Sequence, residues 1–308
     1  MPCDTRYCCC CAAGPSEQRD EEELLSGREL PPTPAVPLPQ AIAPTGAIAP
    51  PVPAPVGRDT RRGWHLLACF LVAEMTFVAA SVLAVLPFLV AAPHPGRSPR
   101  LPGAALVAAL AVPPAATALV VVLGAVLLGK GSVRHRLRDQ LSLRWRLSDV
   151  AIGLALGVVG LAVTVPASAL WAHLVGENQA NSAVGEVFHG QRLTLGWGLA
   201  LFAGVCLIAP LGEELLYRGV LWRAMEYWRW NRWVIAGMTT VLFALAHPLF
   251  SWSHIELLRS PLLVVLTLPI ALARLLTRNL LASIVAHQAN NLLPAIGLLL
   301  VTQGIAPS

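Results

Sequence analysis

The sequence predicts an all-α, polytopic membrane protein of about seven transmembrane helices (six to eight), preceded by a disordered proline-rich tail. Three observations carry that prediction. The 308 residues are 56% hydrophobic and only 13% charged, where soluble domains carry about 25% charged residues, and the mean hydropathy is +0.63. Apolar runs then recur at 64–92, 104–129, 149–175, 196–222, 233–253, 261–276 and 279–303, most of them as long as the ~20 residues a span requires. Ten prolines fall between Pro31 and Pro55, a density that favours extended polyproline conformations and prevents a packed core.

In chain order, residues 1–62 form the tail, with the acidic patch Glu21 to Glu23 and the near-repeat Ala-Ile-Ala-Pro at 41–44 and 47–50. No apolar stretch of signal-peptide type lies in the first twenty residues, so the run at 64–92 is expected to be a span. The transmembrane unit is expected over 63–308. Its orientation follows from Lys and Arg. Arg58, Arg61 and Arg62 precede the first run, Lys130 to Arg146 follow the second, Arg223, Arg229 and Arg232 the fourth, and Arg274 and Arg278 the sixth. The alternate loops hold only Arg97 and Arg100, Arg192, and Arg259. Seven spans with a cytoplasmic N terminus and an outer C terminus satisfy that distribution. The sixth run is the weakest. The formal charge of +5 is spread between apolar runs and forms no basic face, so nucleic acid is excluded as the expected partner and the lipid bilayer takes its place.

Cys69 and Cys206 lie in spans and read as small apolar core residues. Cys3 and Cys8 to Cys11 match no metal-ligand spacing. Pro113, Pro114 and Pro166 read as helix bends, and Trp171 and His173 as interfacial residues at a span end. Glu74 reads as an acid paired with a buried donor.

The chemistry concentrates in three runs. Glu213, Glu214 and Arg218 lie in the fourth, where an ionisable group costs about 2.5–3.5 kcal/mol on insertion scales and marks a site. On a helix Glu214 and Arg218 are i and i+4 with the acid first, the favourable order for an ion pair, which leaves Glu213 on another face as a free base. In the fifth run Phe243 and His247 share a face, and Pro248 forces a departure from helical geometry beside the histidine. The bland reading of His247 alone is a donor to a backbone carbonyl. In the last run His287 and Asn291 share a face, so both can donate to one developing oxyanion or serve as interhelical glue. Gln288 and Asn290 face elsewhere. At about 1.5 Å per residue from the end each span shares with an Arg-rich loop, Glu213 lies about 14 Å deep, His287 about 12 Å and His247 about 21 Å, depths that permit one cluster.

Glu213-Glu214-x-x-x-Arg218, Phe243-x-x-x-His247 and His287-x-x-x-Asn291 together resemble the three ordered motifs of the CPBP family, the type II CAAX prenyl proteases and bacteriocin-processing proteins. The resemblance covers about residues 196–296, roughly a third of the chain. It implies an intramembrane endopeptidase acting on a protein or peptide substrate near the cytoplasmic membrane face. In it Glu213 with His247 activates water, His287 and Asn291 stabilise the tetrahedral intermediate, and Glu214 and Arg218 support. Two chemistries stay open, since two histidines and a glutamate suit zinc with an open fourth position or activate water without it. Pro269 and the alanines around it depart from the glycines of relatives. Other intramembrane protease signatures, His-Glu-x-x-His, Gly-x-Ser-x-Gly and Gly-x-Gly-Asp, do not occur. A non-catalytic membrane scaffold or chaperone of the same fold and a proton-coupled transporter are the competing readings. The abundance of Ala, Pro, Arg and Leu points to a GC-rich bacterium, hence to a plasma membrane and to a peptide or membrane-protein precursor rather than a prenylated protein as substrate.

Overall fold

The structure is a computed structural model and describes residues 59–90, 102–176, 191–250 and 254–306, without the side chains of residues 89, 249, 250 and 254–256. The tail of residues 1–58, with Cys3 and Cys8 to Cys11, lies outside the described residues.

Among the described residues eight helices follow one another: α1 (Thr60–Val90), α2 (Gly103–Leu128), α3 (Val133–Leu141), α4 (Leu147–Val175), α5 (Leu195–Tyr227), α6 (Arg232–Ala246), α7 (His254–Thr277) and α8 (Leu280–Gln303). Helices are the expected solution, because in hydrocarbon every backbone N–H and C=O must be satisfied within its own segment. All but α3 and α6 are long and apolar enough to cross a membrane, which makes this a multi-pass membrane protein. The outer faces carry large exposed apolar side chains such as Met75, Leu83, Leu127 and Leu174, as contact with lipid requires.

One expectation about the spans is corrected and one is met. The fifth run is expected to span over 233–253, yet α6 stops at Ala246 and a 3₁₀ turn, His247–Phe250, follows. The sixth run, the weakest of the expected spans, lies in α7, a helix of 24 residues through Pro261 and Pro269 that is long and apolar enough to cross. Hydropathy reads straight across a proline-induced break, since Pro248 is itself no charge, and it undercounts α7 because its first turns hold polar residues. At about 1.5 Å per residue α6 reaches only ~22 Å, short of the ~30 Å hydrocarbon core. Arg223 and Arg274, expected as loop cations, are both buried. Arg274 Nε donates to the Arg218 carbonyl at 3.1 Å and its guanidinium lies over the Trp222 ring, so these two arginines tie helices together.

The most extensive pairings join α1 to α2 and α4 to α8. Along α4 the buried residues are Asp149, Gly153, Gly157 and Gly160. A Cβ at Gly157 would meet the Ala289 Cβ and the Ala286 carbonyl, and one at Gly160 would meet Asn290 Oδ1; small residues here let the two backbones approach closely, as in many membrane helix pairs. At the N-terminus of α8, buried Asn279 accepts from the Leu281 and Arg144 N–H groups and donates to the Arg144 carbonyl and the Asp149 carboxylate, fastening the start of α4 to α8. The main core gathers side chains of α1, α2, α5 and α6 around Leu216, Tyr217, Val220 and Phe243.

Candidate functional site

Helix α5 is not uniform. A π-helical segment, Gly204–Ile208, precedes an α-turn, Ala209–Glu214, and a second π segment, Leu215–Leu221, follows. Pro210 has no N–H to give the ladder, and the adjoining Ala209 N–H reaches back five residues to the Gly204 carbonyl. Such π bulges recur at functional sites because they re-aim side chains. Between them, Gly212 lies against α2, where a Cβ would come within 2.5 Å of the Pro114 carbonyl. Any side chain at 212 would push α5 away from α2 beside Glu213.

The two adjacent glutamates face different surroundings. Glu214 is fully buried, and its Oε1 accepts from Arg218 Nη1 at 3.1 Å and from His287 Nδ1 at 3.0 Å. The i, i+4 pair therefore forms although the helix between its members is π. Arg218 is also fully buried and its guanidinium lies 4.7 Å from the Phe243 ring centroid. Because a carboxylate is acceptor-only, His287 Nδ1 carries the shared proton, and the other ring nitrogen, Nε2, faces Glu213 Oε2 at 3.6 Å. That separation is too long for a direct hydrogen bond. The His287 ring thus lies between both glutamates.

Glu213 is about a quarter exposed, 24%, and it lines a cavity of 410 Å³ between α1, α2, α5 and α6. His247 lines the same cavity. Its Nδ1 donates to the Phe243 carbonyl at 2.9 Å, the interaction expected of a histidine at a helix end, and this bond leaves Nε2 of the neutral ring as an acceptor. The Phe243 ring lies edge-on to both histidines, with centroids 4.6 Å away for His247 and 5.9 Å for His287. The structure therefore brings Glu213, Glu214, Arg218, His247 and His287 around one phenylalanine.

Asn291 stands apart. Its Nδ2 donates to the Val205 carbonyl in the first π segment at 3.2 Å, and neither Asn291 nor His287 is among the residues lining the cavity. The two donors expected to converge on one point are engaged by different protein groups, Glu214 and Val205. The neighbours face elsewhere, Asn290 accepting from Thr164 on α4 and Gln288 donating to the Leu207 carbonyl.

Among the described residues no three His, Cys, Asp or Glu side chains gather into a metal-binding group. The zinc set that the resemblance leaves open is not assembled in this arrangement, since Glu213, His247 and His287 do not gather into such a group.

Sequence reasoning expected a buried donor beside Glu74 and could not name it as Tyr217. Glu74 of α1 and Tyr217 of α5 both line the cavity, and the Tyr217 hydroxyl donates to Glu74 Oε1. The available signal was that Glu74 is the sole acid in the first apolar run; its partner lies 143 positions away and no local pattern names it.

Comparison with known proteins matches residues 195–293 to the family described as type II CAAX prenyl endopeptidase Rce1-like. No curated protein and no solved structure matches the chain. The matched segment begins at the first residue of α5 and ends within α8, so it contains all three motifs and excludes α1, α2 and α4. Residues 195–293, less than half of the chain, are thus similar to the Rce1-like type II CAAX prenyl endopeptidase domain of the CPBP family.

Proposed function

We propose that this protein is an intramembrane endopeptidase that hydrolyses a peptide bond of a protein or peptide substrate, with Glu213 as the general base. The observation that carries this reading is the division of labour between adjacent acids. Glu214 is sealed by Arg218 and His287, while Glu213 opens onto a cavity shared with the imidazole of His247. A base needs access to water and to the scissile carbonyl, and of the two glutamates Glu213 alone lines that space.

In the proposed cycle Glu213 takes a proton from a cavity water and the oxygen attacks the peptide carbonyl. The acceptor nitrogen of His247 orients that water. Collapse of the tetrahedral intermediate re-forms the carbonyl and breaks the C–N bond, and the proton held by Glu213 passes to the departing amine. His287 steadies the charge on both glutamates. Asn291 enters the oxyanion role only if a bound substrate draws its amide away from the Val205 carbonyl. The catalytic core is then about 196–296 within a transmembrane unit of 63–308, behind a cytoplasmic tail of 1–62 in a bacterial plasma membrane.

The test compares protein termini in cells carrying the wild-type protein and Glu213→Gln. Neo-termini present with the wild type and lost in the variant support the reading and name the substrate. Identical termini from a variant that inserts normally, together with full rescue of a deletion phenotype, would replace it with the scaffold reading.

A further inference from the structure

We propose that Glu74 is a specificity-determining residue of this site, receiving a cationic side chain, lysine or arginine, of the peptide substrate. The proposal rests on the peptidase reading above and adds the class of substrate.

Four glutamates have described side chains in these helices, and three of them face a basic group. Glu214 has Arg218 and His287, Glu226 has Arg223, and Glu213 has His287. Glu74 is hydrogen-bonded to the neutral hydroxyl of Tyr217, and the basic group on the same cavity wall is the imidazole of His247, with which it makes no ion-pair contact. A carboxylate at membrane depth without a counter-charge is costly, and buried charges are normally paired. The cavity wall supplies no permanent cation, since its one basic group is the imidazole of His247 and its lining includes Glu74 and Glu213 but neither lysine nor arginine.

The wall suits the rest of such a side chain. Apart from its acids and His247, the cavity is bounded largely by apolar groups, among them Phe77, Leu110 and Phe243. The long methylene stem of a lysine lies along such surface while its charged head seeks a polar end. Glu74 supplies that end in a fixed position. Tyr217 holds Oε1 and is itself wedged edge-on between Phe70 and Phe243, at centroid distances of 5.6 and 5.4 Å, so Oε2 is left for a ligand. Since Glu213 borders the same cavity of 410 Å³, a cation held by Glu74 lies within a few residues of the bond that Glu213 attacks. Glu74 is on α1, outside the 195–293 segment that matches the family, so this preference belongs to this chain's own first helix.

The experiment uses the full-length protein in lipid nanodiscs and synthetic leucine- and alanine-rich dodecapeptides in which a single lysine is scanned through the sequence, each paired with its norleucine analogue. In the wild type one register of lysine is expected to raise kcat/KM by about tenfold over norleucine, mainly through KM. In Glu74→Gln that ratio falls to about one, whereas Glu74→Asp and Tyr217→Phe, which keep the carboxylate, retain a preference for lysine. Anisotropy of labelled peptides with Glu213→Gln and with the double variant Glu213→Gln/Glu74→Gln reads the same preference without turnover. If no peptide is cleaved beyond the Glu213→Gln background, the peptidase reading fails while the anisotropy comparison still decides the role of Glu74. A wild-type ratio near one in both assays, an unchanged lysine preference in Glu74→Gln, or equal loss in the Asp and Gln variants overturns the proposal.

Discussion

Glu214 Oε1 lies 3.1 Å from Arg218 Nη1 in its own helix and 3.0 Å from His287 Nδ1 in the last one. One buried oxygen therefore joins the first and third sequence motifs, and the neighbouring Glu213 is left to face the cavity.

Removing one partner of this pair strands a charge in a fully buried position. Arg218→Met and Glu214→Leu are each expected to cost about 3 kcal/mol or more of stability, whereas Glu213→Gln, with its side chain partly open to the cavity, shifts the unfolding midpoint little and abolishes cleavage. Thermal unfolding of the detergent-solubilised variants, run beside a cleavage assay, separates the two behaviours. Equal stability losses at 213 and 214 would contradict the assignment.

Gly212 has a different liability. A methyl at this position would lie 2.5 Å from the Pro114 carbonyl, so Gly212→Ala must displace the backbone that carries Glu213. Misplacement by about 1 Å can cost on the order of a hundredfold in rate. We expect Gly212→Ala to insert and fold but to lose at least about tenfold in kcat. The measurement is kcat on a cleaved substrate, with expression and unfolding midpoint as controls.

Phe243 touches Arg218, Tyr217 and both histidines. Phe243→Leu keeps most of the apolar volume and removes the ring, which should cost about 1–2 kcal/mol from the lost cation–π and edge contacts. Because the ring sets the attitude of His247, kcat should fall more than the stability loss explains. A variant whose rate is unchanged would show that His247 needs no such support.

Asn279 is the structural control. Its substitution by Ala removes the cap of α8 and the bonds to Arg144 and Asp149, for an expected loss of about 2 kcal/mol. The site residues are not in contact with it, so kcat per folded molecule should stay near wild type while the unfolding midpoint drops.

Several of these relationships are readable along the chain because they are periodic or compositional. The hydrocarbon environment is stated by composition, and the pairing of Glu214 with Arg218 follows from a spacing of four on any helix, even one widened to π. The break after Ala246 is announced by Pro248, although hydropathy alone carried the run past it. The faces of Asn290 and Gln288 likewise follow from helical register.

Packing decided the rest. Whether His287 donates to an oxyanion or to Glu214 depends on how α8 rotates against α5, and the glycines of α4 let its backbone lie against α8. Glu74 meets Tyr217 across 143 positions, a contact set by the way α1 lies on α5. Arg274 carries the charge of a loop residue and is buried beneath Arg218 and Trp222. The sequence by itself determined a membrane helix bundle and which residues could carry chemistry, because helical periodicity and hydrophobicity are local properties. Only the tertiary structure decided which acid faces the cavity and what stands beside it, because those depend on contacts between helices that no spacing along one helix encodes.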